Sequence, residues 1–160
     1  MQEKKTYLTV EGRRKLLEEL EFLRTTRRVE VAAQIKLAKE GGDVSENAGY
    51  DEAKNAQAFL EGRIMTIENM LTNAEIIHHS GPADTVQLGV FVTVKEDGEK
   101  TNDTYQIVGS AEASPAQGRI SNESPMGKAM MGKKVGDRCS VKTPSGERKF
   151  QIVKIGWTPG

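Results

Sequence analysis

A chain of 160 residues allows one compact domain or two small ones. Lys plus Arg and Asp plus Glu each number 23, so the formal net charge is zero and a global basic field for nucleic acid is excluded. Charged residues make up 29% and aromatics only 5%, a mixture that suits exposed helices better than a large aromatic core.

Two compositions meet near Ser80-Gly81-Pro82. The chain up to that point is free of proline and helical in period, and all five prolines follow it. This predicts two domains, residues 1–80 and 81–160. The start of the chain shows no apolar run of a secretory signal, and no run of about 18 apolar residues could span a membrane. The expected setting is cytoplasmic.

Thr9 is placed to cap a first helix, with Glu11 in its first turn near the positive end of the helix dipole. Leu16, Leu20 and Leu23 recur at coiled-coil spacing, and Val31, Ile35 and Ala38 resume the pattern after Arg27 interrupts it. A second helix is cleaner. Tyr50, Ala53, Gln57, Leu60, Ile64, Ile67, Leu71 and Ala74 alternate three and four apart, with Gln57 the one polar member of the seam. Each helix has roughly 30 residues and a length of about 45 Å. The connection is short, which forces an antiparallel pair. Residues 1–40 carry a net charge of +3 and residues 41–80 a net charge of −5. The two helices therefore attract, but each exposed ion pair contributes only a few tenths of a kcal/mol, so the apolar seam supplies most of the stability.

The second half reads as strands. Val90 to Val94 and Thr104 to Val108 flank Asp97-Gly98, a hairpin signal. Arg138 to Lys142 and Lys149 to Ile155 flank the turn Pro144-Ser145-Gly146. Between them Ser124-Pro125-Met126 reads as a helix cap followed by proline at the first helical position. A small antiparallel sheet with one short helix, an α+β domain, is the expected result. Met126, Met130 and Met131 are expected as core filler, and the adjacent His78 and His79 cannot share a metal on a strand. The single Cys139 excludes an intramolecular disulfide framework, points to a reducing compartment, and reads as a half-buried thiol.

The candidate chemistry lies in the break between the helices, Gly41-Gly42-Asp43-Val44-Ser45-Glu46-Asn47. Two readings are open. Asp-x-x-Glu before a helix is the spacing of a capping box, with Asp43 as cap and Glu46 reaching back. Alternatively both carboxylates point outward at the end of a rod and offer oxygen ligands to a hard cation. Two carboxylates are too few to cage Mg²⁺, but they would complete a metal partly held by another protein, as two-metal phosphoryl chemistry requires. Lys39 and Lys54 flank this tip in sequence. Arg24, Arg27 and Arg28 recur at helical neighbour spacing and form either a phosphate-binding patch or a solvated face paired with Glu18, Glu21 and Glu30.

Three stretches resemble the bacterial transcript-cleavage factors of the GreA/GreB family. They are Leu8 to Gly12, Gly42 to Tyr50 with Asn47 inside it, and Phe59 to Ile64; the distal run Ser124 to Asp137, followed by Lys142 to Glu147, does the same. The similarity runs along essentially the whole chain in order. Gly49 departs from it, standing where the family usually has an acidic residue. The resemblance implies a long antiparallel coiled-coil hairpin followed by a small FKBP-like domain. It also implies a protein that binds RNA polymerase, with the second domain at the mouth of the secondary channel and the coiled coil reaching the active centre. Asp43 and Glu46 would there help hold a second Mg²⁺ and activate water, so that the polymerase itself cuts backtracked RNA. Such a factor is no self-sufficient enzyme. Its basic patch, here Arg24, Arg27 and Arg28, would contact the nascent RNA 3′ segment, and DNA only weakly or indirectly. Two other readings stay open: a channel-binding inhibitor of the same shape, and a peptidyl-prolyl isomerase or chaperone module in the second half. Phe91, Tyr105, Phe150 and Trp157 are few aromatics for an isomerase pocket.

Overall fold

The computed structural model describes residues 4–42, 47–79 and 81–159. By contacts these fall into two compact units, residues 13–73 and residues 1–12 together with 74–160. The composition change near residue 80 therefore marks a different place from the contact boundary. The first residues of the chain belong with the second half because strand β1 (Thr6–Leu8) pairs in parallel with β2 (Ala74–Ile76), with Leu8 opposite Ile76 and fully buried. This two-stranded sheet carries no sequence signal of its own, since three residues are too few for a period to show.

The helical unit is an antiparallel hairpin. Helix α1 (Val10–Phe22) runs through a π-helical turn at Leu23–Arg27 directly into α2 (Arg28–Glu40), and α3 (Ala48–Thr72) returns. Thr9 caps α1 as expected: its hydroxyl accepts from the Gly12 amide at 3.0 Å. The Glu112 carboxylate in turn accepts from the Thr9 amide and hydroxyl, each at 2.6 Å. The π turn explains why Arg27 interrupts the seam. From Leu23 the next apolar member of the seam is Val31, eight residues on, one more than a heptad allows. A π turn takes up one extra residue and brings Val31 back to the buried side, 1% exposed. On α3 the seam residues Ala53, Leu60, Ile64 and Ile67 are buried as their spacing predicts. Burial of each large member contributes about 1.5–3 kcal/mol. Ala74, the last expected member, lies in β2, because α3 ends at Thr72 with Asn73 as its C-terminal cap.

The second unit is a curled five-stranded sheet in the order β5-β4-β3-β7-β6. Its strands are β3 (Phe91–Glu96), β4 (Asn102–Val108), β5 (Arg119–Ser121), β6 (Arg138–Thr143) and β7 (Gly146–Gly156). Both expected hairpins form, β3 with β4 and β6 with β7. The sheet is mixed and not purely antiparallel: β5 joins the edge in parallel to β4, Ile107 opposite Ile120. Alternation along the strands sends Val92, Val94, Ile107, Phe150 and Ile152 to one face, which packs on helix α4 (Pro125–Met130). Ser124 caps α4 through the Gly127 amide at 3.0 Å, with Pro125 at the first position, as expected. Met130 is fully buried, and Met126 and Met131 pack against the same core. Gly127 is required by space, because a Cβ there would stand 1.9 Å from the Ser121 carbonyl oxygen.

Candidate functional site

The connection from α2 to α3 is the candidate site. Asp43 and Glu46 lie outside the described residues, as do Val44 and Ser45. The residues on either side are described, and they close the connection tightly. Gly41 ends α2, its amide bonding back to the Ala38 carbonyl at 3.3 Å, and Gly42 has φ +138°, a conformation that favours glycine. Asn47 then works in both directions. Its Oδ1 accepts from the Tyr50 amide at 3.1 Å, and its Nδ2 donates to the Ala38 carbonyl at 2.6 Å. One side chain thus caps the start of α3 and ties it to the end of α2.

This corrects the capping reading of Asp43. Helix α3 begins at Ala48 and its cap is Asn47, not a residue four positions earlier. The signal was present, since asparagine is among the best caps, but Asp43 matched the better-known box spacing. Gly49 stands in the first turn of α3, beside this cap. A Cβ at this position would lie 3.3 Å from the Asn47 carboxamide oxygen, a close contact that a shift of a few tenths of an ångström relieves. Tyr50 lends the cap its backbone amide, Lys39 is exposed near the end of α2, and Lys54 donates to Gln57 along its own helix at 2.9 Å.

The three arginines of the expected RNA-binding patch do not form one surface cluster with common partners. Arg24 reaches Glu68 at 2.5 Å, and Arg28 forms a two-pronged bridge to Glu61, both bonds 2.9 Å. These two fasten the first helix to α3. Arg27 bonds Glu30 on its own helix at 3.1 Å and borders a groove of about 380 Å³ with Gln34, Gly49 and Glu52. All three arginines are paired with glutamates, but of the partners the sequence offered only Glu30 is used; Glu18 pairs with Arg14 instead. Hydrogen bonding to Arg28 holds the Glu61 carboxyl below its ordinary range and raises the guanidinium in return. A further bridge that spacing did not reveal joins Glu19 to Arg63 at 2.8 Å. The π turn sits in the middle of this arginine segment.

In the sheet unit a cavity of about 370 Å³ opens between α4 and the strands, lined by Ile120, Pro125, Met126, Val141, Pro144 and Phe150 among others. Phe150 is the single aromatic among its described lining residues. Cys139 is 5% exposed, and burial pushes its thiol up. His79 stacks on Trp157, ring centroids 4.5 Å apart, while the Trp157 indole donates to the Gly81 carbonyl at 3.0 Å. No described helix is long and apolar enough to cross a membrane.

Comparison with known proteins covers both halves. Residues 6–76 match the model for the N-terminal domain of the transcription elongation factors, and residues 81–156 match the model for the GreA/GreB C-terminal domain. The transcription elongation factor GreA of Bacillus subtilis is 51% identical over 154 residues, covering 96% of this chain and 98% of that protein. GreA of Thermoanaerobacter pseudethanolicus is 52% identical over 95% of this chain and 98% of its own length. Among solved structures, GreA factor homolog 1 of Thermus thermophilus is 32% identical, covers 95% of this chain and 99% of that one, and superimposes with a TM-score of 0.44.

Proposed function

Given that the chain belongs to the GreA/GreB family of transcription elongation factors, we propose that it binds RNA polymerase and lends Asp43 and Glu46 to the polymerase active centre, where backtracked nascent RNA is cut. The observation that carries this reading is the tight closure of the helical hairpin. Two helices of about 46 and 37 Å meet at a seven-residue connection, and Asn47 fixes both of its ends. Acids held in such a turn are positioned by a stiff two-helix support, which favours use on a target away from the chain's own core.

Carboxylate oxygens are the donor type a hard cation takes, so Asp43 and Glu46 fit Mg²⁺ in kind. Two carboxylates are too few to hold the ion alone, and the polymerase would supply the remaining ligands. The chemistry a Mg²⁺ held there would supply is Lewis-acid polarisation of water. The chain's own part is positioning: Asn47 and the two glycines hold the turn closed, and Asp43 and Glu46 orient the water and accept its proton. Lys39 and Lys54 near the tip add favourable potential for phosphates. Arg24, Arg27 and Arg28 meet the RNA 3′ segment, exchanging glutamate for phosphate partners. DNA is contacted only indirectly. On this reading the chain is an activator of the polymerase's own cleavage and not itself an enzyme.

The test is cleavage of 3′-labelled RNA in halted elongation complexes. Asp43→Ala and Glu46→Ala are each expected to abolish stimulated cleavage while polymerase binding persists. Normal cleavage by both variants would refute the proposal. Loss of RNA extension without any cleavage by the unsubstituted protein would instead identify an inhibitor.

A further inference from the structure

The face of the five-stranded sheet turned away from its core carries a set of side chains that the hairpin proposal does not use. Directly paired residues put their side chains on one face, so register reads this surface row by row. One row runs Gly156, Phe91, Gln106, Arg119 across β7, β3, β4 and β5. The next holds Lys154, Thr93 and Thr104, and the one after it Arg138, Gln151, Lys95 and Asn102. Phe91, Thr104, Gln106, Gln117, Arg119 and Pro159 border an open cavity of about 350 Å³.

Two features of this cavity point to a ligand. Arg119 Nη2 donates to Gln117, but its Nε is buried and finds no partner among the described residues. A buried donor left unpaired costs about 1–3 kcal/mol, and a small rotation of the Arg119 side chain, which lines the cavity, would turn that donor toward an acceptor held there. The second feature is the mix of groups: an aromatic ring, two carboxamides, a hydroxyl and a guanidinium within one row and its margin. Gly156 adds no side chain beside the Phe91 ring. Carboxamides and a guanidinium read the edge of a heterocyclic base while a ring stacks on its face.

Charge supports the same ligand. Lys95, Lys154 and Lys149 lie in the rows that continue from the cavity, all exposed. The acids recorded beside these rows are occupied, Asp97 by Arg138 at 2.5 Å and Glu147 by Ser140. We propose that this outer sheet face binds single-stranded nucleic acid, one base stacking on Phe91 with its edge on Gln106 and Arg119, and the flanking phosphates on Lys154 and Lys95. The site is independent of the tip carboxylates and of the arginines on the helices.

Fluorescence anisotropy of a labelled octauridylate with the full chain at low salt tests it, with octathymidylate and an abasic octamer as parallel probes. The Phe91→Ala variant is expected to weaken octauridylate binding roughly tenfold, as loss of one base–aromatic stack does. The double variant Lys95→Gln/Lys154→Gln, which leaves the core untouched, is expected to reduce the log–log salt slope by about 1.4. Comparable binding of both base-bearing probes supports the site, and a preference for uridylate identifies RNA as the source. No octauridylate binding, unchanged binding by both variants, or equally tight binding of the abasic octamer would each overturn it. Should Phe91→Ala lower the melting temperature, the lysine variant decides alone. Displacement of the oligonucleotide by polyglutamate at equal charge concentration also overturns it, because the surface would then be reading charge and not bases.

Discussion

Asn47 makes a demanding prediction, because one side chain is asked to hold two helices. Its Oδ1 bond to the Tyr50 amide is a helix cap, and loss of such a cap costs about 1 kcal/mol. Its Nδ2 bond to the Ala38 carbonyl is a short tertiary link of the ordinary kind, which contributes a further ~1 kcal/mol. Asn47→Ala removes both, and about 2 kcal/mol of local stability should disappear. Asn47→Ser keeps a capping hydroxyl but has no amide to reach Ala38, so it should lose about half as much. Amide hydrogen exchange at Tyr50 and Asp51 reads this locally: roughly 30-fold faster in the alanine variant and roughly five-fold in the serine variant. Stimulated RNA cleavage should fall in the same order, with polymerase binding retained, because the turn that holds Asp43 and Glu46 loosens first. Exchange in Asn47→Ala within two-fold of the unsubstituted protein would refute the dual role. Equal effects of alanine and serine would refute the division between cap and tie.

Gly127→Ala should destabilise the sheet unit by about 1–3 kcal/mol, measured by urea denaturation, because the new methyl meets the Ser121 carbonyl at 1.9 Å and α4 must shift away from β5. The Glu61 and Glu96 carboxyls are held below their ordinary value of 4.5 by Arg28 and Arg148. Their contribution to stability is complete above that value and is lost as pH falls through the lowered folded-state values. Glu61→Gln and Glu96→Gln together should therefore flatten the acid limb of the stability profile, and an unchanged limb would show the bridges to be without effect. The Cys139 thiol, buried and raised by that burial, should resist a disulfide exchange reagent at pH 8 in the folded protein and react promptly in denaturant.

Much of this protein was legible because its elements are set by local pattern. The three-four alternation from Ala53 to Ile67 fixed both the helix and its buried side. Thr9 and Ser124 marked helix starts that the structure keeps, and Asp97-Gly98 and Pro144-Ser145-Gly146 marked hairpins whose strands pair as adjacent segments. The one-residue slip at Arg27 was visible as an interruption, though a π turn is only one of the ways a helix absorbs such a slip.

What the chain could not announce is contact between segments far apart in sequence. The parallel β1–β2 pair joins residues 68 positions apart, and β5 reaches β4 in parallel through a connection without periodicity. For Arg24 and Arg28 the sequence offered glutamate partners only on their own helix, and it is α3 that brings Glu68 and Glu61 beside them. Asn47 looked like one more turn residue, and only the return of α3 gave its amide the Ala38 carbonyl. Period and capping act within a few residues and are written in the order of the chain. Pairing partners are chosen by the packing of distant segments, and that choice exists only once the chain has folded.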